Sequence, residues 1–416
     1  MTGQPSRRTA AVLSIAALAF IGLMTLLPSG TYEPTPAFCI VCGSLGGVDF
    51  TLNVLLFLPL GLALRWFRER WTTAVIIAVL TTLTVETLQW RFIPGRDASL
   101  GDLIANTLGA MLGAWIAGTG GRVLHAPPAR ARAIASALGV ATSFLITLSA
   151  VLLRPIDPIG ALYVQWTPER PHMDLFRGNL VAVQLNGRFL RPREAFPSQW
   201  TYDSVSRAMA LRAVVRTPVP PSQRQAIIVR MANEQYEGFM LAQRRDGVVF
   251  RSTMAATQLK LRSILVGLDR ALATPTATDS VVVLHGTSTP RFISVGREQS
   301  SAADAATLRR TVGLSWAMLL PWDRALTSRW WPVNAVWLAA ILFPVSFLTM
   351  RSRGSQAADA NTLFGQWPLG LALVTLVAAP AIVGLSVLGP GEWAGVVTGV
   401  AAGVLVERRT ARPLSK

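Results

Sequence analysis

The chain has 416 residues, 51% of them hydrophobic and only 15% charged, with a mean hydropathy of +0.42; that balance excludes a purely soluble protein. Its formal charge of +17 rests on Arg at every basic position except Lys260 and Lys416, so it must be located along the chain before it is read as affinity for nucleic acid. Two Cys and three His exclude a disulfide scaffold and a His-rich metal centre, and no metal or cofactor is expected.

In chain order, eight apolar stretches approach the roughly 20 residues that a helix needs to cross a hydrocarbon core about 30 Å thick. They lie near 9–27, 51–67, 72–90, 101–118, 134–153, 333–350, 367–388 and 391–406. The first follows Arg7 and Arg8, yet no small-residue cleavage site follows it, so it reads as a retained helix and not a signal peptide. With the N-terminus inside, the cytoplasmic pieces hold fourteen basic residues, from Arg7 and Arg8 to Arg412 and Lys416, while the short outer loops hold only Arg91 and Arg96. The positive-inside rule then places both termini in the cytoplasm and residues 154–329 outside an inner or plasma membrane.

The polar residues of the first four stretches are the informative ones. Asp49, Asn53, Phe57 and Gly61 are spaced four apart and share one helix face; Glu86 and Gln89 close the next stretch; Asp102, Asn106, Gly109 and Gly113 open the fourth. Arg96 and Asp97 lie between them. Ionisable groups in spanning helices are costly and tend to face a bundle interior or a wet cavity. The spacing therefore predicts a polar cleft, open to the outside, formed by Asp49, Asn53, Glu86, Gln89, Arg96, Asp97, Asp102 and Asn106. Pro59, Gly61, Gly109 and Gly113 are assigned to helix packing, the glycines as a face that lets another helix approach closely. A purely structural account also fits: Asp49 as a helix cap, Ser99 with Asp102 as an S-x-x-[DE] capping box, and Asn53 in an interhelical hydrogen bond with Asn106 or Gln89. Cys39 and Cys42 form a C-x-x-C in the first outer loop, read as a structural disulfide or two packed thiols.

Here the sequence resembles a family. The strings CIVCGSLGGVDFTLNVLLFLPLG, ETLQW and GRDASLGDLIANTLGAMLG are similar to those of VanZ-like membrane proteins. Their pattern is D-x-x-x-N-x-x-x-F-x-P-x-G in one helix, E-x-x-Q closing the next, and R-D-x-x-x-x-D-x-x-x-N-x-x-G-x-x-x-G entering the third. Asp49, Asn53, Pro59, Gly61, Glu86, Gln89, Arg96, Asp97, Asp102, Asn106, Gly109 and Gly113 fall on its positions. The resemblance implies a cell-envelope role, the founding members being linked to low-level teicoplanin resistance.

Residues 154–329 carry β-type runs at 180–185, 208–216, 227–232, 238–242, 248–252, 281–284 and 292–295, separated by Gly, Pro, Asn and Asp. This rhythm predicts an antiparallel β-sandwich. The stretch GFMLAQRRDGVVFRS resembles the laminin-G or concanavalin-A-like lectin sandwiches, which implies glycan or protein binding. The segment's net charge of +10 suits an anionic envelope polymer or lipid head groups, or is the solvated surface of an Arg-rich chain. His172 and His285 are single in sequence and read as structural. Trp316, Trp322, Trp330, Trp331 and Trp337 form the aromatic belt of a return to the membrane. Glu392 falls in a short turn, and the last two stretches read as anchors.

The predicted architecture is a polytopic α-helical membrane protein of eight transmembrane helices with an extracytoplasmic antiparallel β-sandwich. Its expected parts are a VanZ-like helical domain at 1–153, the sandwich at 154–329, and helices with a basic tail at 330–416. The predicted function is non-enzymatic: the cleft holds a membrane lipid or envelope precursor, and the sandwich binds a glycan or protein, with no nucleic-acid partner. The alternative is an enzyme acting on a lipid-linked or glycosidic substrate, with Glu86 and Asp102 or Asp49 as acid and base.

Overall fold

The structure, a computed structural model, describes residues 5–27, 40–41, 43–67, 70–93, 99–203, 207–273, 280–298, 305–353 and 366–411. The chain divides into two compact units, Met1–Pro127 with Leu259–Arg262, and Pro128–Gln258 with Ser263–Lys416.

The first unit contains α1 (Arg7–Thr25), α2 (Gly46–Phe67), α3 (Trp71–Phe92) and α4 (Leu100–Leu124). Ser6 caps α1 by accepting from the Thr9 N–H at 3.2 Å. Within these helices the hydroxyls of Ser14, Thr81, Thr82, Thr84 and Thr87 donate to carbonyls four residues back, which satisfies polar atoms that lipid cannot. Ile21, Phe57, Leu60, Leu64, Val85 and Ala114 are buried between the helices, whereas Leu55, Ile76, Leu80, Leu83, Leu108 and Leu112 point outward and are exposed. So many exposed aliphatic side chains on long helices mark a surface made for hydrocarbon.

The second unit begins with α5 (Pro128–Leu152) and ends with α6 (Trp331–Arg351), α7 (Trp367–Val383) and α8 (Pro390–Ala411). The sequence pattern grouped α5 with the first four helices; in the structure it packs on α6 and α7. Its Gly139 lies where a Cβ would stand 2.7 Å from the Pro368 side chain. Along α8, a Cβ at Gly395 would strike the Ala335 carbonyl, and Cβ atoms at Gly399 and Gly403 would come within 2.6 Å of the Ala339 carbonyl oxygen and 2.7 Å of the Phe347 nitrogen. This i, i+4, i+8 glycine face lets α6 and α8 touch backbone to backbone.

Helices form at all eight expected stretches. Among the described residues six are long and apolar enough to cross a membrane: α1 to α5 and the span Ser328–Arg351, which contains α6. The protein is a multi-pass membrane protein. The α7 helix is apolar but has only 17 residues. The α8 helix has 22, with Glu392 and Glu407 among them.

Among the described residues between α5 and α6 lie twelve strands in two six-stranded sheets. The first has the order β4 (Ala195–Pro197), β1 (Ala161–Trp166), β6 (Gln225–Ala232), β7 (Glu237–Arg244), β8 (Gly247–Ser252), β9 (Leu265–Leu268). The second has the order β12 (Ala305–Arg309), β11 (Phe292–Arg297), β10 (Val281–Ser288), β5 (Met209–Arg216), β2 (Asn179–Leu185), β3 (Arg188–Phe189). Every ladder is antiparallel. The sheets pack face to face: a Cβ at Gly286 of β10 would stand 2.6 Å from the Phe250 ring of β8. The expected strands coincide with β2, β5 to β8, β10 and β11; β1, β3, β4, β9 and β12 are additions.

The two sheets are buried differently. On β5 the residues alternate between core and surface, as a sheet wet on one face requires. On β6, β7 and β8 nearly every residue is buried. The outer face of that sheet holds its own cluster of Ile227, Met240, Ala242, Val249 and Leu265, covered by Met173 and Ala325 from flanking segments.

Candidate functional site

Three contacts bring the polar residues of the first unit to one end of its helices. Gln89 Nε2 of α3 donates to the Thr25 carbonyl at the end of α1, at 2.8 Å. Glu86 Oε2 accepts the Ser99 backbone N–H, which precedes α4, at 3.0 Å. Asn53 Nδ2 of α2 donates to Asp102 Oδ1 of α4 at 2.6 Å. The ends of α1 and α3 therefore meet the beginnings of α2 and α4, as an up-and-down bundle requires.

The start of α4 explains why three helices contribute. Ser99 is its N-cap, and the Ser99 hydroxyl accepts the Asp102 N–H at 3.0 Å, one half of a capping box. In the usual box the acidic side chain at the third helical position returns the bond to the cap residue's own N–H. Here that N–H goes to Glu86 of α3, and the Asp102 carboxylate accepts from Asn53 of α2 instead. The box is split across helices, so the expected local capping interaction also locks α3 and α2 onto α4.

Glu86, Gln89 and Asn106 are buried, with 7%, 4% and 2% of their surfaces exposed. Asn53 and Asp102 are half-buried, and Asp49, one turn before Asn53, is exposed. The Asn106 Oδ1 has no hydrogen-bond partner among the described residues. An unmet buried acceptor costs about 1–3 kcal/mol, so it marks a place where a donor would be gained. Arg96, Asp97, Cys39 and Cys42 lie outside the described residues.

Gly61, Gly109 and Gly113 stand at the α2–α4 contact: a Cβ on each would strike the carbonyl of Ala110, Val54 or Leu58 respectively. No other residue type fits there without separating the helices. Pro59 sits inside α2 on an exposed face, where the N–H it lacks leaves a gap in the helical ladder.

A groove of about 390 Å³ lies in the same unit between α1 and α3, lined by Leu18, Ile21, Leu26, Ile77, Leu80 and Val85. It runs toward the polar end. Val85 and Leu88 on its wall adjoin Glu86 and Gln89 in α3, and Leu26 adjoins the Thr25 carbonyl that Gln89 holds.

The second unit contains a polar centre that the sequence pattern did not single out. Glu392 lies not in a loop but in the first turn of α8, only 5% exposed. Its Oε1 accepts from Thr311 Oγ1 at 2.5 Å and Asn334 Nδ2 at 2.8 Å, and its Oε2 accepts the Gly389 N–H at 2.8 Å. The signal was present: Gly389-Pro390-Gly391-Glu392 places Gly before the helix, Pro first and Glu third, a helix-start pattern.

In the sandwich, His285 has partners that the sequence did not show. It stands opposite Arg212 on the neighbouring strand, with Gln184 next in the row. Glu298 Oε2 lies 3.1 Å from Arg212 Nη2 and 3.8 Å from His285 Nε2. His172 occupies a left-handed backbone conformation, φ +65°, consistent with a turn. Part of the basic surplus is neutralised locally, as in Arg188–Glu194 at 2.7 Å and Arg251–Glu237 at 2.5 Å.

Arg310, following β12, is fully buried. It donates to the Leu153 carbonyl just beyond α5 at 2.9 Å, to Ser288 Oγ at 2.8 Å and to Ser252 Oγ at 3.2 Å. A cation on the last carbonyls of a helix meets the negative end of its dipole. Burial pulls the Arg310 guanidinium below its ordinary pKa and pushes the nearby Tyr202 phenol up. This cation ties α5 to both sheets.

A family model described as VanZ/LLP1 matches residues 5–120, which contain α1, α2, α3 and most of α4. The N-terminal part of the chain is a VanZ-like domain. No curated protein and no solved structure matches the chain.

Proposed function

We propose that this VanZ-like membrane protein holds an envelope lipid or lipid-linked precursor in its first unit, the chain in the α1–α3 groove and the headgroup at the adjoining polar end. The observation that carries the reading is that groove and polar cluster share one wall, where apolar Val85 and Leu88 alternate with Glu86 and Gln89 along α3. The polar end is rich in acceptors, namely the carboxylates of Asp49, Glu86 and Asp102 and the unmet Asn106 Oδ1. Such a pole suits a headgroup that donates, through sugar hydroxyls or an amine, better than a bare phosphate.

The enzyme alternative asks Glu86 and an Asp to act as acid and base. Glu86 already accepts the Ser99 N–H and Asp102 the Asn53 amide, bonds that serve to start and dock α4. Holding is therefore the reading carried forward. The excess of Arg on the short cytoplasmic pieces supports placing the polar end and the sandwich outside an inner or plasma membrane. In that position the basic sandwich would meet an anionic envelope polymer or glycan. If the lipid held is a cell-wall precursor, the protein would also alter susceptibility to teicoplanin.

The test is binding by the full-length protein in nanodiscs to glucosyl diacylglycerol and to phosphatidylglycerol. Wild type is expected to retain the glycolipid at least about tenfold better, and Ile77→Trp, which fills the groove, to lose both lipids. Asn106→Leu should erase the preference while leaving chain binding. Equal retention by wild type and Ile77→Trp would sink the groove, and turnover abolished by Glu86→Gln would restore the enzyme.

A further inference from the structure

The second unit has a cavity of about 600 Å³ where the sandwich meets the starts of α6 and α8, lined by Arg309, Thr311, Trp330, Trp331, Asn334 and Glu392 among others. Its volume falls within the roughly 300–1,000 Å³ of small-molecule sites. Among the described residues its lining belongs to the second unit, so it stands or falls apart from the reading above.

Two opposite charges share this cavity without pairing. Glu392 is held by three neutral donors, from Thr311, Asn334 and Gly389, and among the described residues no Arg or Lys forms an ion pair with it. Its orientation is imposed from behind. Trp316 Nε1 donates to Asn334 Oδ1 at 2.8 Å, which leaves the Asn334 amide nitrogen to face the carboxylate. Arg309, an exposed residue, donates through Nη2 to the Val387 carbonyl at 3.2 Å, and among the described residues it makes no ion pair either.

The gap between the charges is kept by a glycine. A Cβ at Gly389 would lie 3.8 Å from Glu392 Oε2 and 3.9 Å from Arg309 Nη1, so both charges flank the space that a side chain there would take. The aromatic wall is fixed as well: Arg324 stacks 4.6 Å over the Trp330 ring, and Trp331 opens α6. Tryptophans at the first turn of a spanning helix sit at headgroup level.

We propose that this cavity binds the zwitterionic headgroup of an aminophospholipid, with the ammonium at Glu392 and the phosphate at Arg309. A carboxylate that already accepts three bonds keeps lone-pair capacity for an N–H donor. A guanidinium matches a phosphate in geometry and charge. The phosphate and ammonium of one phosphoethanolamine are separated by a short spacer, as are the two side chains across Gly389. A lipid is favoured over a free zwitterion because Trp330 and Trp331, which line the cavity, stand at the start of a span long and apolar enough to cross a membrane.

The experiment is lipid retention by the full-length protein in detergent, read by native mass spectrometry, with phosphatidylethanolamine, phosphatidylglycerol and phosphatidylcholine vesicles and free phosphoethanolamine as probes. Phosphatidylethanolamine is expected to be retained about tenfold over phosphatidylglycerol, which lacks the ammonium, and over phosphatidylcholine, whose nitrogen has no N–H. Glu392→Gln should bring phosphatidylethanolamine down to the phosphatidylglycerol level, Arg309→Gln should weaken both, and Gly389→Val should block both by filling the gap. Should Glu392→Gln fail to fold, Gly389→Val and Arg309→Gln carry the test. Equal retention of all three lipids by wild type, or an ethanolamine preference that survives Gly389→Val in an Ile77→Trp background with the α1–α3 groove filled, would overturn the proposal. Free phosphoethanolamine competing as well as the lipid would overturn the lipid as occupant.

Discussion

The beginnings of α4 and α8 use the same chemistry with opposite results. Each helix lies against a partner across a glycine face, α4 on α2 and α8 on α6. Each also has an acidic residue at its third position, Asp102 after Ser99 and Glu392 after Gly389. In α8 the longer Glu392 side chain reaches back to the Gly389 N–H, the one half of a capping box that a glycine, with no side chain of its own, allows. In α4 the shorter Asp102 turns outward to Asn53, and Glu86 of α3 supplies the missing acceptor. Glu392 thus caps its own helix through Oε2 and holds Asn334 of α6 through Oε1 beside a cavity, whereas at α4 both the cap N–H and the carboxylate are partnered across helices. The extra methylene lets Glu392 reach the N–H of its own cap, a bond that at α4 falls to Glu86 of α3.

The most forceful way to break this comparison is through the glycine faces. Gly109→Leu and Gly399→Leu each drive a side chain into a backbone of the facing helix, and each is expected to cost more than about 3 kcal/mol or to prevent folding. Thermal unfolding of the solubilised protein measures both; a tolerated Gly399→Leu would show that the two faces are not equivalent.

A smaller effect separates the two boxes. Glu392→Ala strands three donors, and we expect a loss of about 2–3 kcal/mol. Asn53→Leu removes one interhelical bond and is expected to cost about 1–2 kcal/mol, read as loss of α2–α4 disulfide trapping between engineered cysteines as well as a lower melting point. The smallest change is Ser99→Ala, about 1 kcal/mol, the ordinary value of an N-cap. A cost well above that would mean that the Ser99 hydroxyl also holds Glu86 in place.

Much of the fold is legible in the sequence because its signals are local. Apolar runs long enough to span hydrocarbon give the helices, and the turn residues between β-branched runs give seven of the strands. The strands that escaped notice are short, such as β3 and β9, or place apolar residues on both faces, such as β1, whose ALYVQW alternates in burial but carries Ala and Tyr at its exposed positions. Their pairing depends on neighbours distant in sequence: β1 bonds to β4 and β6, and β9 to β8. The polar positions at one helix end were also legible, since period and helix direction place Asn53, Glu86 and Asp102 at one depth. Their bonding was not, because Asp102 could equally have closed its own box.

Glu392 shows the converse. Its helix-start pattern was present in the sequence, but its importance comes from Thr311 and Asn334, 81 and 58 residues earlier in the chain. Arg310 is the same kind of case, one Arg among many until the fold removes it from water and sets it on Leu153, Ser252 and Ser288.

The sequence by itself determined that this is a membrane protein with a VanZ-like beginning, a two-sheet domain and glycine-faced helices, because hydropathy, spacing and small-residue periodicity act over one or two turns. Only the tertiary structure decided which helices each carboxylate holds and which of them also adjoins a cavity, because a buried charge takes its role from the donors that distant parts of the chain bring to it.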